Sequence, residues 1–476
     1  MAPDPSRASA HRVSEVEAKT AGFRKELGLL DLVLVQVVYV VGSGWVGTAA
    51  KLGPQHLIFW ILGILLFYLP QAAVVIYLNR LMPLEGGIYQ WGTVGLGELG
   101  GFLVAWNLWA YTILIMATFA VIIATTLSYL IGPVIPRLTG APWYTAAVTT
   151  LVIVGVSVLT LVGLRAGKWV QNVGGAAQIL TFTALILVPF LALRRGTLSA
   201  YHPFEAALPS FTPITINIFS KMALGAFSGF EYVAILAGEC RNPARTIGRS
   251  VVIAVPLIAV MFILGTSSMV ALVPRDRIDL VSPIPQALAL GFGGLGLVRF
   301  LVPVLIVLLL LRLLGSASLV FAGNTRLPMV AGWDGVLPAW FTRLHPRFRT
   351  PGNSILFVGA LTLAFSLAGQ AGVGVQEAFQ VLDNAAGILY AVTYLALFAI
   401  PLVGARRLAE PPPAWLRVAS IAGFVTSLLY AVLSLFPIIE VSSWKLFAGK
   451  ILSVLMVTNL FGVAIYSMGR RRRGLV

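Results

Sequence analysis

Long apolar runs alternate with short polar joints from residue 31 to residue 468. A run of about 20 apolar residues has the length of a helix that crosses the ~30 Å hydrocarbon core of a bilayer. Twelve such spans are predicted, at 31–50, 56–78, 101–130, 143–163, 169–193, 214–236, 250–272, 296–322, 354–369, 376–402, 416–437 and 446–468. Apolar sequence from Ser354 to Gly404 is too long for one span, and the glycine-rich stretch Gly369 to Gly374 divides it. Pro70, Pro189, Pro256, Pro303 and Pro401 fall within runs and predict local bends. Residues 1–20 are polar and of mixed charge, which predicts a disordered tail. The chain thus divides into an N-terminal tail (1–30), a ten-helix core (31–404), and two further helices with a basic tail (405–476).

Two of the runs are interrupted at their centres. The first contains Gly42, Ser43, Gly44 and Trp45. Each Gly in a helix interior costs roughly 1 kcal/mol relative to Ala. A helix that opens at mid-membrane frees N–H and C=O groups, which are tolerated only where they line a cavity or are buried in protein. The half-helix that restarts presents a positive dipole end suited to a carboxylate. Small residues also serve simply to let spanning helices pack closely, so this stretch alone leaves both readings open. The sixth run has a second interruption, Gly225 through Ala226, Phe227, Ser228, Gly229 and Phe230, followed by the carboxylate of Glu231. It opens a second set of five spans, as the Gly42 run opens the first. Paired interruptions at corresponding positions of two halves point to a transporter's binding site. An odd number of spans per half inverts the second half. The predicted fold class is therefore an all-α polytopic membrane protein with about 12 transmembrane helices, a five-plus-five inverted repeat, and discontinuous helices 1 and 6.

Composition agrees. The chain is 58% hydrophobic and only 11% charged, too few charges to cover a soluble surface. The net charge of +16 would suit nucleic acid, but the basic residues sit at alternating span ends. Twenty-two of the 33 Lys and Arg fall in segments on the N-terminal side and nine on the other. That bias predicts cytoplasmic termini in an inner membrane, with Arg470 to Arg473 as a juxtamembrane anchor to anionic lipid rather than a nucleic-acid site. Cys240 is the single cysteine, which excludes an intrachain disulfide, and the four histidines have no metal-ligand spacing. No cofactor is implied. The first run is too long for a signal-peptide core and is expected to remain as a span. An enzyme would need a nucleophile with its base or clustered metal ligands, and a channel a repeated filter or ring of charge; the sequence offers neither.

The segment Phe227 to Glu231, followed by Gly238, Glu239, Asn242, Pro243, Arg245 and Ile247, resembles the sixth-helix signature of the amino acid–polyamine–organocation superfamily. Three further stretches agree in order: Gly42 to Val46 with its first-helix break; Met82 to Trp91 and Gly101 to Trp106 with its entry to the third helix; Asn324 to Pro338, with His345 and Pro351, with the loop after its eighth helix. The resemblance runs from Phe23 to Gly404. It implies carriage of amino acids or related amines such as polyamines, with protons as a possible co-substrate. It also implies that N–H groups of Ser43, Gly44 and Trp45 hold a substrate carboxylate, and that carbonyls near Ala226, Phe227 and Ser228 meet its amine.

Phe227, Phe230, Trp106 and Trp109 are candidates for an apolar or gating wall, with simple packing an equal reading for the two tryptophans. Ionisable residues at membrane depth are functional candidates by default. Here they are Lys221, Glu231, Arg312 and Asp383. Lys221 is read as snorkelling towards the outer mouth. Arg312 calls for a partner, and Asp383 and Glu231 are the protein's candidates. Many family members carry Gln, then Lys seven residues later, in the fifth helix, where that Lys stands at the sodium position of related transporters. Here Gln171 is followed by Gln178. A neutral amide does not cycle a proton near neutral pH. That leaves exchange, coupling through Glu231, or a fixed positive charge from Arg312.

Overall fold

The computed structural model describes residues 14–20, 25–132, 134–278, 283–292, 298–368, 375–436 and 443–472. Among the described residues the chain is helical, and the only β contact is an isolated bridge between Leu27 and Cys240. The first span is a bent pair, α1 (Leu29–Val40) and α2 (Ser43–Ala50), whose axes differ by 46°. There follow α3 (Gly53–Leu81), α4 (Ile88–Leu96), α5 (Glu98–Ile131), α6 (Tyr144–Val162) and α7 (Leu164–Arg194). The second half begins with α8 (Pro213–Ser220), a π turn Lys221–Ala226, and α9 (Phe230–Ile235). It continues with α10 (Pro243–Leu272), α11 (Pro283–Phe292), α12 (Val298–Trp333), α13 (Gly352–Ala368) and α14 (Val375–Val403). The last two are α15 (Ala414–Leu433) and α16 (Trp444–Arg472). Among the described residues ten helices are long and apolar enough to cross a membrane, the α1–α2 pair passes the same test jointly, and α13 is a shorter apolar helix. The glycine-rich divide at 369–374 lies outside the described residues.

Local chemistry sets where several helices start. The Thr212 hydroxyl accepts from the Thr215 N–H (3.2 Å), with Pro213 in the first turn of α8; a hydroxyl cap and a proline whose missing N–H costs nothing both favour a helix start. Asn242 takes a left-handed conformation just before Pro243 opens α10, a conformation that Asn tolerates better than most residues.

At the centre α1, α7 and α12 pack together. A Cβ on Gly174 of α7 would stand 2.9 Å from the Leu311 carbonyl and 3.1 Å from the Gly315 Cα of α12, so these backbones meet at small residues. That is how helices associate in lipid, where apolar burial gives no net drive. The helices α15 and α16 lie on the flank, and α16 leaves Met456, Val457, Leu460 and Phe461 exposed.

The tail differs from expectation. Residues 14–20 are helical, and Val16 and Thr20 are buried. Lys19 donates to the Trp333 carbonyl (3.4 Å) at the end of α12. The composition of this segment is polar, but Val16 packs into the main hydrophobic core.

Candidate functional site

The first interruption is narrow. Val41 leaves helical geometry (φ −77°, ψ 87°), Gly42 is extended (φ −83°, ψ 129°), and the helix restarts at Ser43. Ser43 and Gly44 provide N–H groups that a helix start leaves without intrahelical acceptors. The Trp45 N–H instead donates back to the Gly42 carbonyl (3.3 Å). On the other side of the break, carbonyls of α1 are freed. The Val41 carbonyl accepts from the Gln178 amide (2.8 Å) and from the Arg312 guanidinium (3.0 Å). The Val38 carbonyl accepts from the Ser316 hydroxyl (2.5 Å). A cation at the C-terminal end of a half-helix opposes the negative end of its dipole.

This placement corrects the expected partners of Arg312. The side chain is 4% exposed, and no carboxylate lies within ion-pair distance of it among the described residues. Glu231 is taken by two tyrosines, whose hydroxyls at Tyr390 and Tyr394 both donate to its carboxylate. Asp383 interacts electrostatically with Lys221. Lys221 does not snorkel: it is 6% exposed, donates to the Asn384 amide oxygen (2.8 Å), and lies 5.9 Å from the centre of the Tyr430 ring. A lysine stem can reach the surface only if nothing lies in its path, and α14 and α15 cover it.

The second interruption is wider. A π turn ends at Ala226, and Gly229 takes φ +138° before α9 begins at Phe230. That angle strains any residue with a side chain, and a Cβ there would also stand 2.3 Å from the Tyr39 ring. Ser228 turns its hydroxyl back onto the Leu224 carbonyl. Gln71 of α3 fills the gap: with its amide oriented to suit its neighbours, it donates to the Phe227 carbonyl (2.8 Å) and accepts from the Phe230 N–H (3.2 Å). The Phe227 carbonyl therefore already has a donor. The Tyr394 hydroxyl accepts from the Gly229 N–H (2.8 Å) while donating to Glu231. Tyr39 extends the chain of hydroxyls to Tyr390 (3.3 Å) and Tyr111 (3.4 Å).

The two interruptions face each other. The Trp45 indole lies against Gly225, where a Cβ would stand 2.3 Å from the ring. Phe227 and Phe230 pack in an aromatic cluster with Tyr68 (ring centres 4.3 and 5.1 Å away) and Trp60 (5.1 Å from Phe227). Trp106 and Trp109 are elsewhere. Trp106 donates to the Thr458 carbonyl of α16 (2.8 Å), and Trp109 stacks on Phe357 of α13 (6.4 Å). Their face of α5 meets α16 and α13 rather than the two breaks. Sequence reasoning missed Gln71, Tyr39, Tyr111, Tyr390 and Tyr394. The available signal was a polar group inside each apolar run, and for Tyr390 and Tyr394 a spacing of four, which stacks side chains on one helical face.

A charged cluster sits at the end of the bundle where α1 starts. Arg326 of α12 pairs with Glu239 and lies 3.6 Å from Glu85. Glu85 accepts from the Gly238 N–H (2.8 Å), and Lys25 donates to the Gly238 carbonyl (2.5 Å). The Glu26 and Leu27 N–H groups share the Glu239 carbonyl (3.0 and 3.1 Å). Burial and the Glu239 carboxylate, against the pull of Arg326, push Glu85 up to about 8. Cys240 is wholly buried here, and burial raises its thiol above the usual range.

Two broken spans set against each other in an all-helical bundle define a secondary-transporter architecture. The chain belongs to the amino acid permease family, whose sequence profile matches residues 27–459. It is 27% identical over 378 residues to an uncharacterized transporter of Legionella pneumophila, covering 79% of this chain and 80% of that protein. It is 24% identical over 444 residues to the human b(0,+)-type amino acid transporter 1, covering 91% and 86%. In fold it is similar to the crystal structure of MhsT in complex with L-phenylalanine, with a TM-score of 0.63 at 13% identity, covering 87% of this chain and 99% of that one.

Two outcomes are expected. Gly225→Ala drives a methyl into the Trp45 ring and should abolish most uptake while the protein still inserts; wild-type uptake would disprove the contact between the breaks. For Glu85 the folded value near 8 lies above the ordinary 4.5. Its contribution to stability is thus full below about pH 4.5 and is lost as pH rises through 8. Thermal unfolding between pH 6 and 9 should show the wild type losing several degrees relative to Glu85→Gln. Parallel curves would refute the assignment.

Proposed function

We propose that this protein is an amino acid exchanger that works by alternating access of two five-helix repeats in the cytoplasmic membrane, with both termini inside. The observation that carries the reading is the Val41 carbonyl held by both Arg312 and Gln178. A substrate carboxylate sits on the N–H groups of Ser43 and Gly44, and its ammonium on carbonyls at Ala226 and Ser228. Phe227, Phe230 and Trp45 form the apolar surround. The positive charge beside the first break is fixed, because arginine stays protonated at any relevant pH. It holds the two halves together and cannot cycle with protons. Glu231, locked between two tyrosine hydroxyls, positions the sixth break through Tyr394 and Gly229.

A polyamine carrier would use Glu231 and Asp383 as amine counter-charges. Their engagement with Tyr390, Tyr394 and Lys221 weighs against that reading.

Radiolabelled uptake into proteoliposomes tests the proposal. Uptake should require internal amino acid and ignore imposed proton and sodium gradients. Accumulation in empty vesicles driven by a pH gradient would overturn exchange. Arg312→Ala should lose transport, and adding Gln178→Lys should restore part of it. In the wild-type background Gln178→Lys should be harmful, since two cations then crowd one low-dielectric site. Failure of the rescue would remove the fixed-charge role.

A further inference from the structure

Trp106 and Trp109 line a groove on the flank of the bundle, between α5, α12, α13 and α16. Its volume is about 1010 Å³, and its wall follows α16 from Ser453 to Arg472. At 1.5 Å per residue that is roughly 28 Å, close to the hydrocarbon thickness of a bilayer. Along nearly all of this length the lining is hydrocarbon, with Phe102, Leu361, Val457 and Phe461 among it. One end differs. There Arg472 borders the groove, beside Arg471, and both side chains are exposed. Deeper in, the Trp109 indole N–H is buried with no acceptor among the described residues.

Length, shape and charge select the occupant. The groove runs the length of an acyl chain between α16 and the core and is walled by hydrocarbon along that length, which suits slender apolar chains. A guanidinium at its mouth matches a phosphate diester in charge and in donor geometry. We propose that the groove is a binding site for an anionic phospholipid. The acyl chains lie along Trp106 and Trp109, and the phosphate headgroup is held by Arg471 and Arg472. Bound there, the lipid fills the space between the flanking helix α16 and the core and seats one on the other. A second copy of the chain would instead have to cover the groove with a surface of its own, and the basic mouth would repel its like.

The test uses the full chain in phosphatidylcholine nanodiscs that contain a minor fraction of lipid with brominated acyl chains, which quench nearby tryptophans. Brominated phosphatidylglycerol should quench more than brominated phosphatidylcholine. The excess should vanish in the double variant Trp106→Phe, Trp109→Phe, in the double variant Arg471→Gln, Arg472→Gln, and in Ala110→Phe, which narrows the groove. The exposed arginine pair can be changed without disturbing packing, so unaltered thermal unfolding of that variant is the control for folding. Equal quenching by the two headgroups in the wild type overturns the proposal. So does an excess that survives loss of the arginines, or a stable dimer in which neither lipid quenches.

Discussion

A helix broken inside a membrane must find partners for the carbonyls it frees, because lipid provides none. In this protein that constraint is met at Val41, whose carbonyl accepts from both Gln178 and Arg312. The rest of the core follows from it. For Arg312 to reach α1, the helix α12 must approach closely, and it does so at Gly315, where a Cβ would stand 3.1 Å from the Val38 side chain of α1 and 3.1 Å from Gly174 of α7. For the charge to be tolerated without a carboxylate, it must lie at the negative end of a half-helix, which is where the break puts it. Removing the guanidinium would leave a buried carbonyl short of a donor and an end dipole without its charge.

The sixth span solves the same problem by different means. Among the described residues no cation donates to its break, since Lys221 turns to Asn384. A glutamine from α3, a tyrosine from α14 and a backward-turned serine supply the hydrogen bonds. Glu231 is then the anchor of that arrangement, since both tyrosines are oriented by donating to it. The two breaks are thus unequal. One is fixed by charge and close helix packing, the other by a network of neutral donors around one acid, and Trp45 spans the space between them.

Away from the breaks the structure divides its polar and apolar duties by position. The end where α1 starts is tied by Glu85, Glu239, Arg326 and Lys25, which come from four separate parts of the chain. A single arginine facing two buried carboxylates makes this closure sensitive to the protonation of one of them. On the flank, α16 contributes little to the core, and the space behind it is apolar except at its basic end.

The linear pattern determined a good deal. Apolar runs of spanning length require helices in lipid, because only a helix satisfies its own backbone there. Glycine-rich centres in the first and sixth runs marked where two of those helices fail, for the same backbone reason. Net hydrophobicity and the scarcity of charge excluded a soluble fold. Which polar side chain meets which freed group was a different matter. Arg312 and Gln178 are 134 residues apart and converge on one oxygen, while Asp383, an equally plausible partner on paper, interacts electrostatically with Lys221 instead. Nothing in the local sequence of Trp106 and Trp109 distinguishes a gate from a flank, because the direction of a helix face is set by its neighbours. Residues 14–20 read as tail by composition, yet they dock through Val16. Periodicity and length act along the chain and can be read from it. Pairing between charges and freed backbone groups depends on how helices from distant segments are rotated and stacked, and only the tertiary structure decides that.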